Sequence, residues 1–353
     1  METPGLSRSS NNFDALRLLA ATFVLIGHSA PILLNRPLDW DPYRQLLGIG
    51  IHFIGVLIFF VLSGFLVTHS WYARKNIFSF LSARVLRIFP ALIGVVLLSV
   101  FVLGASLTTY SLGDYLFSET TGKYLQDMTL YRMYYYLPGV FENNPIGSSV
   151  NGSLWTLPYE FTCYLFLALL GLLAAFKNKW GYLVFTVALT LGYILWEAPL
   201  NRIVIPILGI DFKNFLPLLP YFMAGSVYYH FRNSFSMGWA GWLLCCAAIV
   251  LIKFEYLPNL LYAFLFPFFI FQFAFSQKIN LYHAGKFGDF SYGLYLYTFP
   301  VQQLIVWFLP VKINTVWMIF LSLLCTLPFA VLSWYCIERP ALKLKGRLVS
   351  ALG

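Results

Sequence analysis

Two ionisable residues close an otherwise apolar stretch, "RLLAATFVLIGH" from Arg17 to His28, and they are the first candidates for chemistry. At about 100° per residue their separation sums to within roughly 20° of three full turns, so in a helix both side chains share one face, about 16 Å apart along the axis. Ionisable groups in an apolar span are costly and tend to face a bundle interior or an aqueous cavity. A neutral imidazole at His28 can take a proton from an acceptor hydroxyl. A structural histidine bonded to a backbone carbonyl fits the same position. Asp14 precedes Arg17 by three residues, a spacing that permits an ion pair at the start of the same helix.

Further candidates follow along the chain. In "SARVLRIFPA", Arg84 and Arg87 share a helix face, where two guanidinium forks suit a phosphate-bearing ligand, while membrane anchoring is the alternative. "NGSLWTLPYEF" places Glu160 in the first turn of a helix after Pro158, favourable to the positive helix end and open to a role beside the imidazole, with Trp155 and Tyr159 flanking it. "GVLIFFVLSGFL" sets Gly55, Ser63 and Gly64 among bulky apolars, the pattern of closely approaching helices. "GDFSYGLYLYTFP" brings Tyr292 and Tyr295 to one helix face, to line a polar cavity or to form an aromatic girdle. Asp14, Ser63, Trp155, Tyr159, Tyr292 and Tyr295 are the candidates for substrate contact.

The elements that must position these residues are membrane helices. The 353 residues are 59% hydrophobic and 10% charged, with 19% aromatics. Apolar runs long enough to cross a bilayer are expected at 13 to 34, 49 to 69, 88 to 107, 158 to 176, 180 to 197, 215 to 230, 237 to 253, 257 to 276, 290 to 310 and 315 to 337, ten in all. The expected fold is therefore an all-α membrane bundle, a single domain over 1–353. It has an N-terminal segment 1–12, one long outside connection 108–157 and a tail 338–353. The opening "METPGLSRSSNN" lacks a basic n-region, so a cleaved signal peptide is not expected. With the N-terminus inside, fourteen Lys and Arg residues fall in inside segments against eight outside, which places both termini in the cytoplasm.

Cys163, Cys245, Cys246, Cys325 and Cys336 all lie in apolar runs without paired spacing in any loop, so neither a disulfide framework nor a metal site is expected. A net charge of +9 without a separate basic block argues against nucleic acid as a partner. The aromatic run Tyr131 to Tyr136 in the long connection suits sugar stacking or an interfacial belt. A transporter in which Arg17, His28 and Glu160 line a proton or substrate path is the reading from another class, though no clear internal repeat accompanies it.

Taken in order, "FDALRLLAATFVLIGH", "GVLIFFVLSGFL", "RVLRIFPA", "SLWTLPYEF", "FSYGLYLYTFPV" and the closing "IERP" resemble the bacterial acyltransferase-3 family across residues 13 to 340. The resemblance implies ten helices in the bacterial inner membrane. It also implies transfer of an acyl group, usually acetyl from cytoplasmic acetyl-CoA, to a hydroxyl of an envelope glycan such as lipopolysaccharide O-antigen or an exopolysaccharide. By position, His28 resembles the catalytic histidine and Arg17 its basic partner. Arg84 and Arg87 resemble the donor-binding pair, and Glu160 the acidic residue of the fourth helix. Thr298 stands where many members have a second histidine, and the extracellular esterase-like domain that many members carry is not expected here. The implied partners are the lipid bilayer, acyl-CoA and a glycan acceptor, and loop composition does not fix the oligomeric state.

Overall fold

A computed structural model describes residues 11–36, 44, 49–74, 76–173, 178–200, 202–205, 210–232, 258–309 and 313–344. Helices stand at nine of the ten expected apolar runs. They are α1 (Phe13–Leu34), α2 (Ile51–Ala73), α3 (Ile77–Leu98), α4 (Leu157–Leu172), α5 (Lys179–Leu195), α6 (Leu219–Phe231), α7 (Pro258–Ala274), α8 (Ser291–Phe308) and α9 (Thr315–Ser333). The expected run 237 to 253, with Cys245 and Cys246, lies outside the described residues, as do 1–10 and 345–353.

Among the described residues, five segments are long and apolar enough to cross a membrane: Phe13–Leu34, Ile51–Ala73, Ile77–Leu107, Gly152–Leu172 and Thr315–Leu344. The helices α5, α6 and α7 have 17, 13 and 17 residues. The 18-residue α8 carries two fully buried glutamines, Gln302 and Gln303, which lower its apolar character. A two-residue antiparallel pair, Val204–Ile205 with Ile210–Asp211, is the whole of the described sheet.

The third helix departs from the sequence expectation, beginning at Ile77 rather than 88. Its start is set by Asn76, whose side chain accepts the Phe78 N–H at 2.8 Å and so satisfies one of the donors a helix N-terminus leaves open. At its far end α3 passes into a π-helical turn, Ser99–Gly104. There Tyr115 donates its hydroxyl to the Val100 carbonyl at 2.9 Å. Gly104 is required at this place, because a Cβ on it would stand 1.9 Å from the Tyr115 hydroxyl.

The chain divides into two compact units, Met1–Arg17 with Leu57–Phe80 and Tyr159–Phe287, and Leu18–Val56 with Leu81–Pro158 and Gly288–Gly353. Within the first, α2 and α6 approach closely. A Cβ on Gly64 would meet the Phe222 carbonyl oxygen at 1.9 Å, and one on Gly225 the Val61 carbonyl oxygen at 2.1 Å. Thr68 donates to Ser226 at 2.6 Å across the same seam. Small residues thus do in this pair what the "SGF" stretch suggested, letting backbones meet where lipid supplies no hydrophobic drive between helices.

Within the second unit, α8 is the organising element. Gln303 donates to the carbonyls of Gly147 and Ser149, and Asn144 returns bonds of 2.9 and 3.0 Å to Gln303. Asn151 caps the short turn Gly152–Thr156 ahead of α4 and donates to the Leu296 carbonyl at 2.9 Å. Long connections thus end on buried amides of α8, where an unmet hydrogen bond would be expensive. The connection after α3 is itself folded into short helices at Leu112–Leu116 and Glu119–Leu125, capped by Ser111 and Ser118. Tyr136 in the aromatic run pairs with Ser149 as an isolated bridge.

Candidate functional site

His28 sits in the fifth turn of α1 with only 6% of its surface exposed, and its Nδ1 is buried without a hydrogen-bond partner. His52, at the start of α2, stacks on it with ring centroids 5.6 Å apart and planes at 24°. Phe299 of α8 meets it edge-on at 5.6 Å. Glycine makes the first contact possible, since a Cβ on Gly27 would lie 2.6 Å from the His52 Cβ. One step further along, a Cβ on Gly55 would lie 2.4 Å from the Ala20 carbonyl oxygen, so α1 and α2 pack backbone to backbone beside the imidazoles. Gln302 fixes α1 from the other side, donating to the Leu25 carbonyl at 3.0 Å and to Ser29 Oγ at 2.9 Å. Phe299 is held in turn by Gly152, where a Cβ would meet its ring at 2.9 Å. The "NGS" turn, α8 and His28 therefore form one packed series.

The remaining candidates from the sequence have the following places. Arg17 pairs with Asp14 at 3.1 Å, the ion pair their spacing allows. Glu160 accepts from Ser63 Oγ at 2.8 Å and from the Tyr164 hydroxyl. Tyr159 stacks on Phe215 at 6.1 Å. Trp155 lies half-buried in the turn before α4. Tyr292 donates to the Ile88 carbonyl at 2.9 Å. The Tyr295 hydroxyl lies 2.6 Å from Thr156 Oγ1 and donates to the Ser153 carbonyl. Thr298 returns its hydroxyl to its own helix, at the Leu294 carbonyl.

Arg84 and Arg87 lie one turn apart on α3, as their spacing requires. Arg87 is bound to acids: its guanidinium is 2.7 Å from Asp289 and 3.9 Å from Glu338, with the Tyr292 ring 5.5 Å from its Cζ. Both carboxylates are almost wholly buried, at 4% and 2% exposure. Ser291 donates to Asp289 and Ser333 to Glu338, so each acid has a second donor. Two of the family-like stretches, "RVLRIFPA" and "IERP", thus meet Asp289, the residue just before a third, "FSYGLYLYTFPV", in one buried charge cluster.

Sequence reasoning missed His52, Asp289, Glu338 and Gln302. The two acids sat inside quoted motifs without a role, and their position at the edges of apolar runs was the signal that an internal cation must meet them. His52 gave a weaker signal, as a lone imidazole three residues before Gly55.

Comparisons with known proteins bear on the family of the chain. A family model described as "Acyltransferase domain" matches residues 10–335. The chain is similar to an "O-acetyl transferase" of Shigella phage Sf6, 28% identical over 348 residues that cover 94% of this chain and 95% of that protein. It is also similar to "Nodulation protein 10" of Rhizobium leguminosarum bv. viciae, 30% identical over 362 residues covering 96% of this chain and 95% of that protein. No solved structure matches the chain. With a match that spans both units and nearly the whole sequence, the chain belongs to the acyltransferase-3 family and is a membrane acyltransferase.

Proposed function

We propose that the protein is an O-acetyltransferase of the bacterial inner membrane. In this reading it has ten spans with both termini in the cytoplasm, and it moves acetyl from cytoplasmic acetyl-CoA to a hydroxyl of an envelope polysaccharide, O-antigen or exopolysaccharide, on the outer side. The observation that carries this reading is the His28 imidazole: buried, packed on two sides by rings, and with its Nδ1 making no hydrogen bond. A structural histidine would be expected to bond a backbone group, and this nitrogen does not. The Shigella phage relative, whose name is O-acetyl transferase, supports the reaction class.

In the proposed step His28 takes the proton of the acceptor hydroxyl as its oxygen attacks the thioester carbonyl. The carbon–sulfur bond breaks, and the coenzyme A thiolate takes the proton from the imidazolium. Attack by the imidazole itself, through an acetyl-histidine, balances equally and gives the same products. Arg17, on the same face of α1 and paired with Asp14, is assigned to the donor end of the helix, with Arg84. Glu160 is assigned to holding Ser63 and Tyr164.

The test is acetyl transfer to envelope glycan with release of coenzyme A thiol, in wild type and in His28→Ala at matched membrane expression. A loss of about 10²-fold or more is expected, the usual range for removing a general base. Glycan acetylation that persists at the wild-type rate in His28→Ala would overturn the mechanism.

A further inference from the structure

A second group of cations gathers in the first unit, where the C-terminal ends of α2 and α6 meet. Arg74 follows α2 and Arg232 follows α6. Between them lie His69, whose Nδ1 is 3.3 Å from the Tyr229 hydroxyl, and His230, which meets Tyr72 at 5.7 Å between ring centroids. Lys179, at the start of α5, lies 5.1 Å from the ring of Phe231. Among the described residues no carboxylate pairs with Arg74, Arg232 or Lys179, although the chain carries acids in both units.

Capping a helix C-terminus is the ordinary work of such arginines. Arg232 does cap, through one nitrogen that donates to the Tyr229 carbonyl at 2.7 Å, and Arg74 reaches back to Ser70. A guanidinium has five N–H donors, so most remain. One of them, Nε of Arg232, is buried and makes no hydrogen bond, a cost of the kind that a bound acceptor removes. Beside it is an aromatic platform. Arg232 covers one part of the Tyr229 ring at 4.2 Å, and Tyr72 stacks on Tyr229 at 5.6 Å and 24° while remaining 48% exposed. Cations without acids, an orphan buried donor and a half-exposed aromatic ring together suit a ligand with phosphate groups and a flat base.

We propose that this cluster binds the nucleotide end of the acyl donor, with Arg74 and Arg232 on its phosphates and Tyr72 against its adenine. The inference rests on the donor reading of the proposed function and gives that donor a place that no motif marks. The inside excess of Lys and Arg puts these helix ends on the cytoplasmic side, where the thioester would arrive. An anionic lipid headgroup shares the phosphate chemistry but has no base to stack.

The test is calorimetric binding of adenosine 3′,5′-bisphosphate to the full-length protein in nanodiscs of neutral lipid. Arg74→Gln and Arg232→Gln should each weaken binding about tenfold or more, as loss of a charge-assisted contact does. Tyr72→Ala should weaken it severalfold while Tyr72→Phe, which keeps the ring, should bind as wild type does. In turnover the Arg variants should raise KM for acetyl-CoA and leave KM for the acceptor in place. Unchanged affinity in both Arg variants, with wild type binding, would overturn the site while leaving the acetyl-CoA reaction standing. Equal loss of inorganic phosphate and nucleotide binding, with Tyr72→Ala indifferent and anionic nanodisc lipid competing, would assign the cluster to lipid headgroups instead. Absence of binding of both the bisphosphate and acetyl-CoA by wild type would remove the donor reading itself. Tyr72 is half exposed, so its two variants do not depend on the fate of the core.

Discussion

Arg87 and Arg232 look alike in outline, each lying beside a tyrosine ring, at 5.5 Å from Tyr292 and 4.2 Å from Tyr229 respectively. They differ in what else surrounds them. Two buried carboxylates, Asp289 and Glu338, take up the charge of Arg87, whereas among the described residues no carboxylate pairs with Arg232, which retains a buried N–H without an acceptor. An arginine matched by acids is part of the architecture, because removing any member strands a charge in a medium that cannot solvate it. One whose donors are unspent can exchange water for a ligand. The motif that resembles a donor-binding pair contains the first kind, and the second kind lies where the sequence reads only as a membrane anchor.

The largest test of this contrast is Arg87→Ala. It should remove the cation that Asp289 and Glu338 share and cost about 3–5 kcal/mol, the usual penalty for breaking a buried ion pair from one side. A sharp fall in melting temperature and in folded yield is expected, against little change in either for Arg232→Gln. Combining Arg87→Met with Asp289→Asn and Glu338→Gln should recover much of the stability, since the three charges then leave together. If Arg87→Ala instead melts like wild type and only raises KM for acetyl-CoA, the contrast fails and Arg87 belongs with the donor.

A buried acid that pairs with no cation among the described residues provides the next test. Asp127, in the folded connection after α3, is fully buried. It accepts the Tyr134 N–H at 2.6 Å through Oδ1 and leaves Oδ2 without a hydrogen-bond partner. Burial pushes its carboxyl up from 3.8 to about 8, against the opposing pull of the Tyr134 N–H. With the folded value above the unfolded one, its contribution to stability is complete below about pH 4 and is lost as pH rises through about 8. Asp127→Asn keeps an acceptor for Tyr134 and cannot ionise. It should flatten the fall in melting temperature between pH 5 and 8 and gain about 1–3 kcal/mol near pH 8. A pH profile identical to wild type would mean that Asp127 finds in the fold a cation or solvent that its surroundings do not suggest.

These contrasts also explain what could be read from the sequence. The helices were legible because apolar length is a local property, and so was the Asp14–Arg17 pair, three residues apart on one face. Gly55 and Gly64 were legible as close approaches because a missing Cβ among bulky neighbours has few other uses in a membrane helix. Arg87 was legible as a charge but not as a spent one, since its partner Asp289 is 202 residues away and no periodicity carries that information. The same holds for His52 beneath His28 and for Tyr229 beside Tyr72, whose helices meet only in the folded chain. The start of α3 was missed for a local reason, the cap from Asn76, which lies ahead of the densest apolar stretch.

The smallest expected effect is the most discriminating for the tyrosines of α8. The sequence offers Tyr292 as a substrate contact, but its hydroxyl donates to the Ile88 carbonyl and its ring lies against Arg87. Tyr292→Phe removes one neutral hydrogen bond and keeps the ring, so a loss of about 1 kcal/mol is expected, read as a fall of about 2 °C in melting temperature. Turnover and both KM values should stay as in wild type, because the hydroxyl is already committed within the protein. A raised acceptor KM at unchanged stability would reverse this assignment, placing the Tyr292 hydroxyl on the substrate and making the acid-bound cluster around Arg87 a wall of the reaction site rather than a strut behind it.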